Sequence, residues 1–200
     1  MNGLRRLLLI ALAPAIVYVP HSAPALAVNG CHTPLEGDCA QEGYAPKSAR
    51  SAGGAMAVRA AIEMIGVPYS WGGGGVRGPG FGIGKGAKVS GFDCSGLTEY
   101  AWARAGVLIG TTTYEQWRSG IRVPKEEIEP GDLVFYDNDT GRAGPEHVAL
   151  AVDATRMVHA PYTGQFVRVD PLDRPTFMGV IRPTGRAANV DPPEGYEEVE

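Results

Sequence analysis

Gly91-Phe92-Asp93-Cys94-Ser95-Gly96 delivers a lone cysteine to the start of a helix. Behind it Leu97, Ala101 and Ala105 recur at helical spacing with Tyr100 and Trp102 beside them, which sets the helix start at or just after Cys94. A thiol in a first turn faces unpaired backbone N–H groups and the positive end of the helix dipole. Both favour the thiolate, the form that attacks a carbonyl carbon. A buried cysteine packing as a small hydrophobe suits the same position. The choice between these readings depends on what the rest of the chain places nearby.

The second informative stretch is a hairpin. His147 to Val152 has strand character, Asp153-Ala154-Thr155 turns, and Arg156 to Ala160 returns. If the loop is the three residues 153 to 155, position 152 pairs with 156 and 149 with 159. His147 and His159 then become diagonal neighbours on one face, their Cβ atoms ~7 Å apart. A two-residue loop would put them on opposite faces. Each histidine alone suits a structural role; two on one face, in a chain with a helix-capping cysteine, suit chemistry.

The chain has 200 residues, 44% hydrophobic and 20% charged, enough for one globular domain with a sizeable core. A net charge of −4 offers no basic footprint for nucleic acid. Residues 1–27 read as a signal peptide: Arg5 and Arg6 precede the apolar run Leu7 to Val19, and Ala25-Leu26-Ala27 is a small-x-small cleavage site. Pro14 interrupts that run and Pro20 closes it short of the ~20 apolar residues of a membrane span, so no span is expected in the mature chain. The expected address is secreted. Val28-Asn29-Gly30-Cys31 loosely resembles a lipobox, but Asn29 fits badly and acylation of Cys31 would strand Cys39.

Under oxidising conditions Cys31 and Cys39 can close a small loop as a disulfide within an irregular arm, residues 28–54. Cys94 is then unpaired, a candidate reactive thiol. A zinc site from Cys31, His32 and Cys39 is the rival, with unsuitable spacing and no apparent fourth ligand, so no metal is expected.

Ala55 to Ile65 patterns as an amphipathic helix ended by Gly66 and Pro68. The glycine-rich stretch 74–90 is expected to be a surface insertion beside the site, a loop with freedom to move. It fails the phosphate-loop pattern, because Pro79 and Gly86 stand where Gly and Ser or Thr are required. Thr111 to Trp117 begins a short threonine-capped helix, and Glu129-Pro130-Gly131-Asp132 is a turn. Asp137 to Gly141 starts like a calcium loop, but Arg142 and Val148 break the pattern and a polar turn is left. Leu133 to Tyr136, Phe166 to Val169 and Met178 to Arg182 join the hairpin as short strands. The tail, 184–200, is acidic and proline-rich and reads as disordered.

A nucleophilic cysteine needs a base, a group that orients the base, and donors for an oxyanion. Cys94, His147 and His159 can fill the first three places, with the Cys94 backbone N–H at a helix start as a donor. A histidine in third place must be neutral, so it orients the base without supplying negative charge.

Gly66-x-Pro68-Tyr69-x-Trp71-Gly72-Gly73, Phe92-Asp93-Cys94-Ser95-Gly96, Thr112 to Trp117, Pro130-Gly131-Asp132-Leu133-Val134-Phe135, His147-Val148-Ala149-Leu150 and Met157-Val158-His159-Ala160-Pro161 together resemble the successive motifs of the NlpC-type cell-wall cysteine peptidases. The resemblance covers a catalytic domain at 55–183. It implies an α+β papain-like fold, with N-terminal helices, one carrying the cysteine, packed on a small antiparallel sheet. It implies cleavage of peptidoglycan stem peptides between D-glutamate and the following diamino acid, without a cofactor. By matched position Cys94 is the nucleophile, His147 the base and His159 the polar third member. Tyr69 would line the site and help polarise the carbonyl, and Asp93 and Ser95 would hold the stem peptide, in some members by its free amino end. Packing for Tyr69 and Trp71, and helix capping for Asp93, stand beside those roles.

Two departures stand out. Glu146 replaces the usual glycine before the histidine, a carboxylate expected to raise the pKa of the base. The insertion 74–90 separates two site-forming motifs. A cysteine amidase cutting between sugar and peptide, and a catalytically silent wall-binding module on the same fold, are the competing functions.

Overall fold

The computed structural model describes residues 47–184, apart from residues 140 and 143. The signal peptide, the Cys31–Cys39 pairing with most of the arm, and all but the first residue of the tail lie outside the described residues.

Helix α1 spans Lys47–Ile62, so it begins within the stretch 28–54 that was expected to be irregular. Gly53 and Gly54 hide it from propensity, each weakening a helix by about 1 kcal/mol. Packing needs the second. A Cβ on Gly54 would lie 2.2 Å from the Pro130 carbonyl oxygen, whereas one on Gly53 would make an ordinary 3.5 Å contact with the Trp102 ring. Close approach to the Pro130–Gly131 turn thus outweighs local preference.

Helix α2, Cys94–Arg104, buries Cys94, Leu97, Thr98, Ala101 and Trp102, a stripe at three- and four-residue intervals. Asp93 caps it, accepting from the Gly96 N–H at 2.7 Å. A short helix α3, Thr113–Gln116, starts at the Thr112 cap, with Glu115 completing a capping box. Gln116, fully buried, binds α3 to the base of α2. Its Nε2 donates to the Ser95 and Gly110 carbonyls at 2.9 and 3.0 Å, and its Oε1 accepts from the Thr98 hydroxyl at 2.7 Å.

Two short strands, β1 (Gly80–Phe81) and β2 (Ser90–Gly91), pair with each other. The main sheet has six antiparallel strands: β3 (Gly120–Val123), β4 (Leu133–Tyr136), β5 (His147–Ala151), β6 (Arg156–His159), β7 (Arg168–Pro171) and β8 (Phe177–Pro183). Their order is β3-β8-β4-β5-β6-β7. Leu133, Phe135, Val148, Leu150, Val158 and Ile181 face the helices, while Val134, Tyr136, Ala149, Ala151, Met157 and Val180 build a second core on the other face. With both faces covered, β4 and β5 are buried at every position.

The hairpin takes the three-residue loop. Leu150 pairs with Val158 and Ala151 with Met157, and the Val152 N–H donates to the Arg156 carbonyl at 2.9 Å. The Asp153 carboxylate holds the turn by accepting from the Thr155 and Arg156 N–H groups at 2.8 and 2.9 Å.

The glycine-rich insertion packs against the segment Tyr69–Trp71 beside the site. The buried Ser70 hydroxyl bonds the carbonyls of Gly86 and Val89 at 3.1 and 2.7 Å, pulling the segment onto Tyr69–Trp71. Its glycines permit contact rather than freedom. A Cβ on Gly82 would lie 1.9 Å from the Trp71 carbonyl oxygen and one on Gly86 2.5 Å from the same atom, and just after the insertion one on Gly91 would lie 1.9 Å from the Pro68 carbonyl oxygen. Strand β7 sits two residues later than read from the sequence, and β3, an edge strand, was not foreseen.

Candidate active site

Helix α2 presents Cys94 beside the start of β5. The thiol is 9% exposed, with Sγ 4.0 Å from the Glu146 carbonyl oxygen. Two clefts meet there, with volumes of about 380 and 390 Å³. They share Tyr69, Trp71, Cys94 and Glu146 as walls and so form one groove passing over the thiol. One side adds Asp93 and Glu99 with Ser95 and Thr111–Thr113. The other carries His147, Asn138, Tyr162, Arg168 and Arg174.

His147, buried, hydrogen-bonds through Nε2 to His159 Nδ1 at 2.8 Å, with the rings edge to face. That leaves Nδ1 of His147 as its only other ring nitrogen. His159, with no exposed surface, meets Asp170 Oδ2 through Nε2 at 3.0 Å. Asp170 is gripped in turn: Arg168 Nε donates to both of its oxygens at 3.0 Å and an Arg174 nitrogen donates to Oδ2 at 2.8 Å.

Burial sets the protonation states. It pushes the Cys94 thiol up to about 12, with the nearby Asp93 charge acting in the same direction. Burial, then the charges of His159 and Arg174, bring His147 down to about 3. His159 falls to about 4, burial outweighing the attraction of Asp170. Desolvation thus favours a neutral thiol and a neutral imidazole at rest, and for Cys94 it opposes the pull of the helix-start N–H groups toward the thiolate. The expected effect of Glu146 fails. Its Oε2 accepts from the N–H groups of Asn138 and Asp139 at 2.8 and 3.1 Å, which ties that oxygen to the turn after β4, while Oε1 is buried without a hydrogen-bond partner among the described residues; the charge of Glu146 is not among the causes that set the pKa of His147.

The neutral thiol has a measurable consequence. Alkylation of Cys94 by iodoacetamide is expected to accelerate about tenfold per pH unit from pH 7 to 10, because the thiolate fraction keeps rising below the raised pKa. An ordinary thiol levels off near pH 9, and a plateau at or below pH 8 would instead mark a preformed thiolate.

Tyr69 is 7% exposed, held by its N–H to the Gln165 carbonyl at 2.8 Å. Burial and the charges of Cys94 and Asp93 raise its pKa, so the phenol stays protonated and able to donate. Trp71 is 54% exposed and forms the groove rim rather than core. Asp93 serves chiefly as a cap and tether: its oxygens accept from Gly96 N–H, from Ser95 Oγ at 3.2 Å and from Gly72 N–H at 3.0 Å. Ser95 spends its hydroxyl on that contact. Among the described residues no group of three metal-ligating side chains gathers, and no helix is long and apolar enough to cross a membrane.

A cysteine heading a helix beside a histidine on an antiparallel sheet defines a papain-like α+β fold. The model of the NlpC/P60 family matches residues 66–182, and the chain belongs to that family. It is 44% identical over 115 residues to the peptidoglycan endopeptidase RipB of Mycobacterium tuberculosis, a match covering 58% of this chain and 46% of RipB. It is 33% identical over 115 residues to the gamma-D-glutamyl-L-lysine dipeptidyl-peptidase of Bacillus cereus, covering 58% of this chain and 31% of that enzyme. The chain thus spans less than half the length of these relatives. The solved RipB structure superposes with a TM-score of 0.63 at 37% identity, covering 69% of this chain and 68% of that one. RipD of Mycobacterium tuberculosis, described as a non-catalytic NlpC/p60 domain protein adapted to peptidoglycan binding, superposes at 0.58 with 31% identity, covering 65% of this chain and 96% of that one.

Asp170, Arg168, Arg174 and Glu99 were missed in the sequence. Asp170 and Arg168 alternate along β7, a usable signal, but the chain between His159 and Arg168 leaves the pairing register open.

Proposed function

We propose that this domain is an exported cysteine peptidase acting on peptidoglycan stem peptides at the bond from D-glutamate to the diamino acid. The observation that carries it is the hydrogen-bonded His147–His159 pair opening on the groove that Cys94 lines. In this reading Nδ1 of His147 takes the thiol proton as Sγ attacks the carbonyl carbon. The resulting oxyanion is met by the Cys94 N–H at the head of α2 and by the Tyr69 hydroxyl. Collapse breaks the C–N bond, His147 returns the proton to the leaving amine, and water then hydrolyses the thioester with His147 again as base. The acidic and basic sides of the groove suit a peptide bearing amino and carboxylate groups on either side of the cut. The kinship with RipB and the Bacillus cereus enzyme supports both the polymer and the bond. Localisation follows from the N-terminal segment read as a signal peptide.

A wall-binding role is the second reading, favoured by the likeness to RipD. Purified peptidoglycan incubated with residues 28–200, and separately with the Cys94→Ala variant, tests both by mass spectrometry of released fragments. Fragments cut after D-glutamate, released by the wild type alone, are expected. Intact stem peptides freed from glycan would identify an amidase. Binding by both proteins without release would establish the wall-binding module.

A further inference from the structure

The Cys94–His147 pair works only if His147 carries its one proton on the correct nitrogen. A neutral imidazole has one N–H and one bare nitrogen. The single proton between His147 Nε2 and His159 Nδ1, 2.8 Å apart, can belong to either ring. If it sits on His147, then Nδ1 of His147 is bare and can accept the thiol proton. If it sits on His159, the proton of His147 lies on Nδ1 and no base faces the groove. Two neutral histidines alone have no reason to choose between these states.

We propose that Asp170 makes that choice and is a positioning residue for the proposed hydrolysis, acting on His147 through His159. A carboxylate can only accept, so the 3.0 Å contact with His159 Nε2 places the proton of His159 on Nε2. Its Nδ1 is then bare and must accept from His147 Nε2–H. Nδ1 of His147 is thereby left free for the thiol. When His147 takes that proton, the same chain leads its positive charge toward the carboxylate.

Arg168 and Arg174 make the device work. Their donors fix both oxygens of Asp170, and the bonds from His159 and then Arg168 hold the group as a carboxylate, below its usual range. They also temper its pull on the imidazole, so that burial can keep His159 neutral. The geometry depends on strand register: His159 faces Arg168 across β6 and β7, and Asp170 is the next residue on the same face. A third-place histidine, which supplies no charge itself, thus has a carboxylate behind it.

The inference rests on the reading of Cys94 and His147 as the reacting pair, and its test separates the two. In the full chain labelled with ¹⁵N-histidine, NMR at neutral pH is expected to show both His147 and His159 protonated on Nε2 and bare on Nδ1. This readout needs no activity. A wild-type spectrum with the proton of His147 on Nδ1 overturns the proposal even if the enzyme cleaves peptidoglycan. In Asp170→Asn the two arginines claim the single amide oxygen and the NH₂ group turns to His159, reversing both tautomers. The expected kinetic result is kcat lowered roughly 10²- to 10³-fold with KM unchanged, while Asp170→Glu, still an acceptor, recovers a tenth or more. An Asn variant with unaltered tautomers, or with kcat within twofold of wild type, also overturns the proposal.

Discussion

Replacing His147 by alanine is expected to lower turnover of stem peptides by on the order of 10⁴-fold while leaving the chain folded. The direction follows from the state of the thiol. Burial holds Cys94 well above the usual thiol range, so the thiol is protonated at pH 7 and attack depends on a base that removes the proton during the step itself. An enzyme with a preformed thiolate would need that base far less. Folding should survive, because β5 is held by its backbone ladders to β4 and β6 and by Val148 and Leu150 in the core. Single-turnover kinetics on a purified stem peptide, with thermal melting by circular dichroism as the control, measure both halves. A folded variant retaining a tenth of wild-type activity would remove His147 from the role of base.

What was legible in the sequence was local. Cys94 at the head of a helix, its Asp93 cap and the Thr112 cap of α3 depend on residues within one turn of each other, and all three are found. The hairpin carrying His147 and His159 was also within reach, since the length of a tight turn determines which residues share a face. Asp170 was not. It reaches His159 only after the chain has looped through Pro161 to Val167, and such a loop admits several registers.

Protonation was out of reach for the same kind of reason. The helix dipole can be read from the position of Cys94, and the charge of Glu146 from its place beside His147. The burial that opposes the first, and the Asn138 and Asp139 N–H groups that turn the second away, are products of tertiary structure. Glycines misled likewise. Gly54, Gly82 and Gly91 suggest looseness by composition, yet each stands where another part of the backbone passes too close for any side chain.

The turn Glu129–Asp132 leads to the largest expected loss of stability, because a residue that reads as turn chemistry is also half of a buried ion pair. Asp132 is 2% exposed and bonds Arg182 of β8 through two contacts of 2.9 Å, while its Oδ2 also accepts from the Glu129 N–H at 2.8 Å. Its backbone carbonyl accepts from Ala151 of β5 at 2.8 Å, so the residue joins three strands where α1 crosses the Pro130–Gly131 turn. Asp132→Ala removes both 2.9 Å charge-assisted bonds to Arg182 and the acceptor of the Glu129 N–H, leaving the guanidinium only the Glu129 carboxylate at 3.5 Å and the Glu127 carbonyl, and is expected to cost about 3–5 kcal/mol. With a urea slope of about 1.5 kcal/mol per molar, the unfolding midpoint should fall by roughly 2–3 M at unchanged slope. Exchanging both partners for apolar residues, Asp132→Leu with Arg182→Met, should recover part of the loss, because no guanidinium is then left short of acceptors while Glu129, 37% exposed, can turn to water. A midpoint shift below about 0.5 M for Asp132→Ala would mean that water reaches Arg182 and the pair is energetically a surface contact.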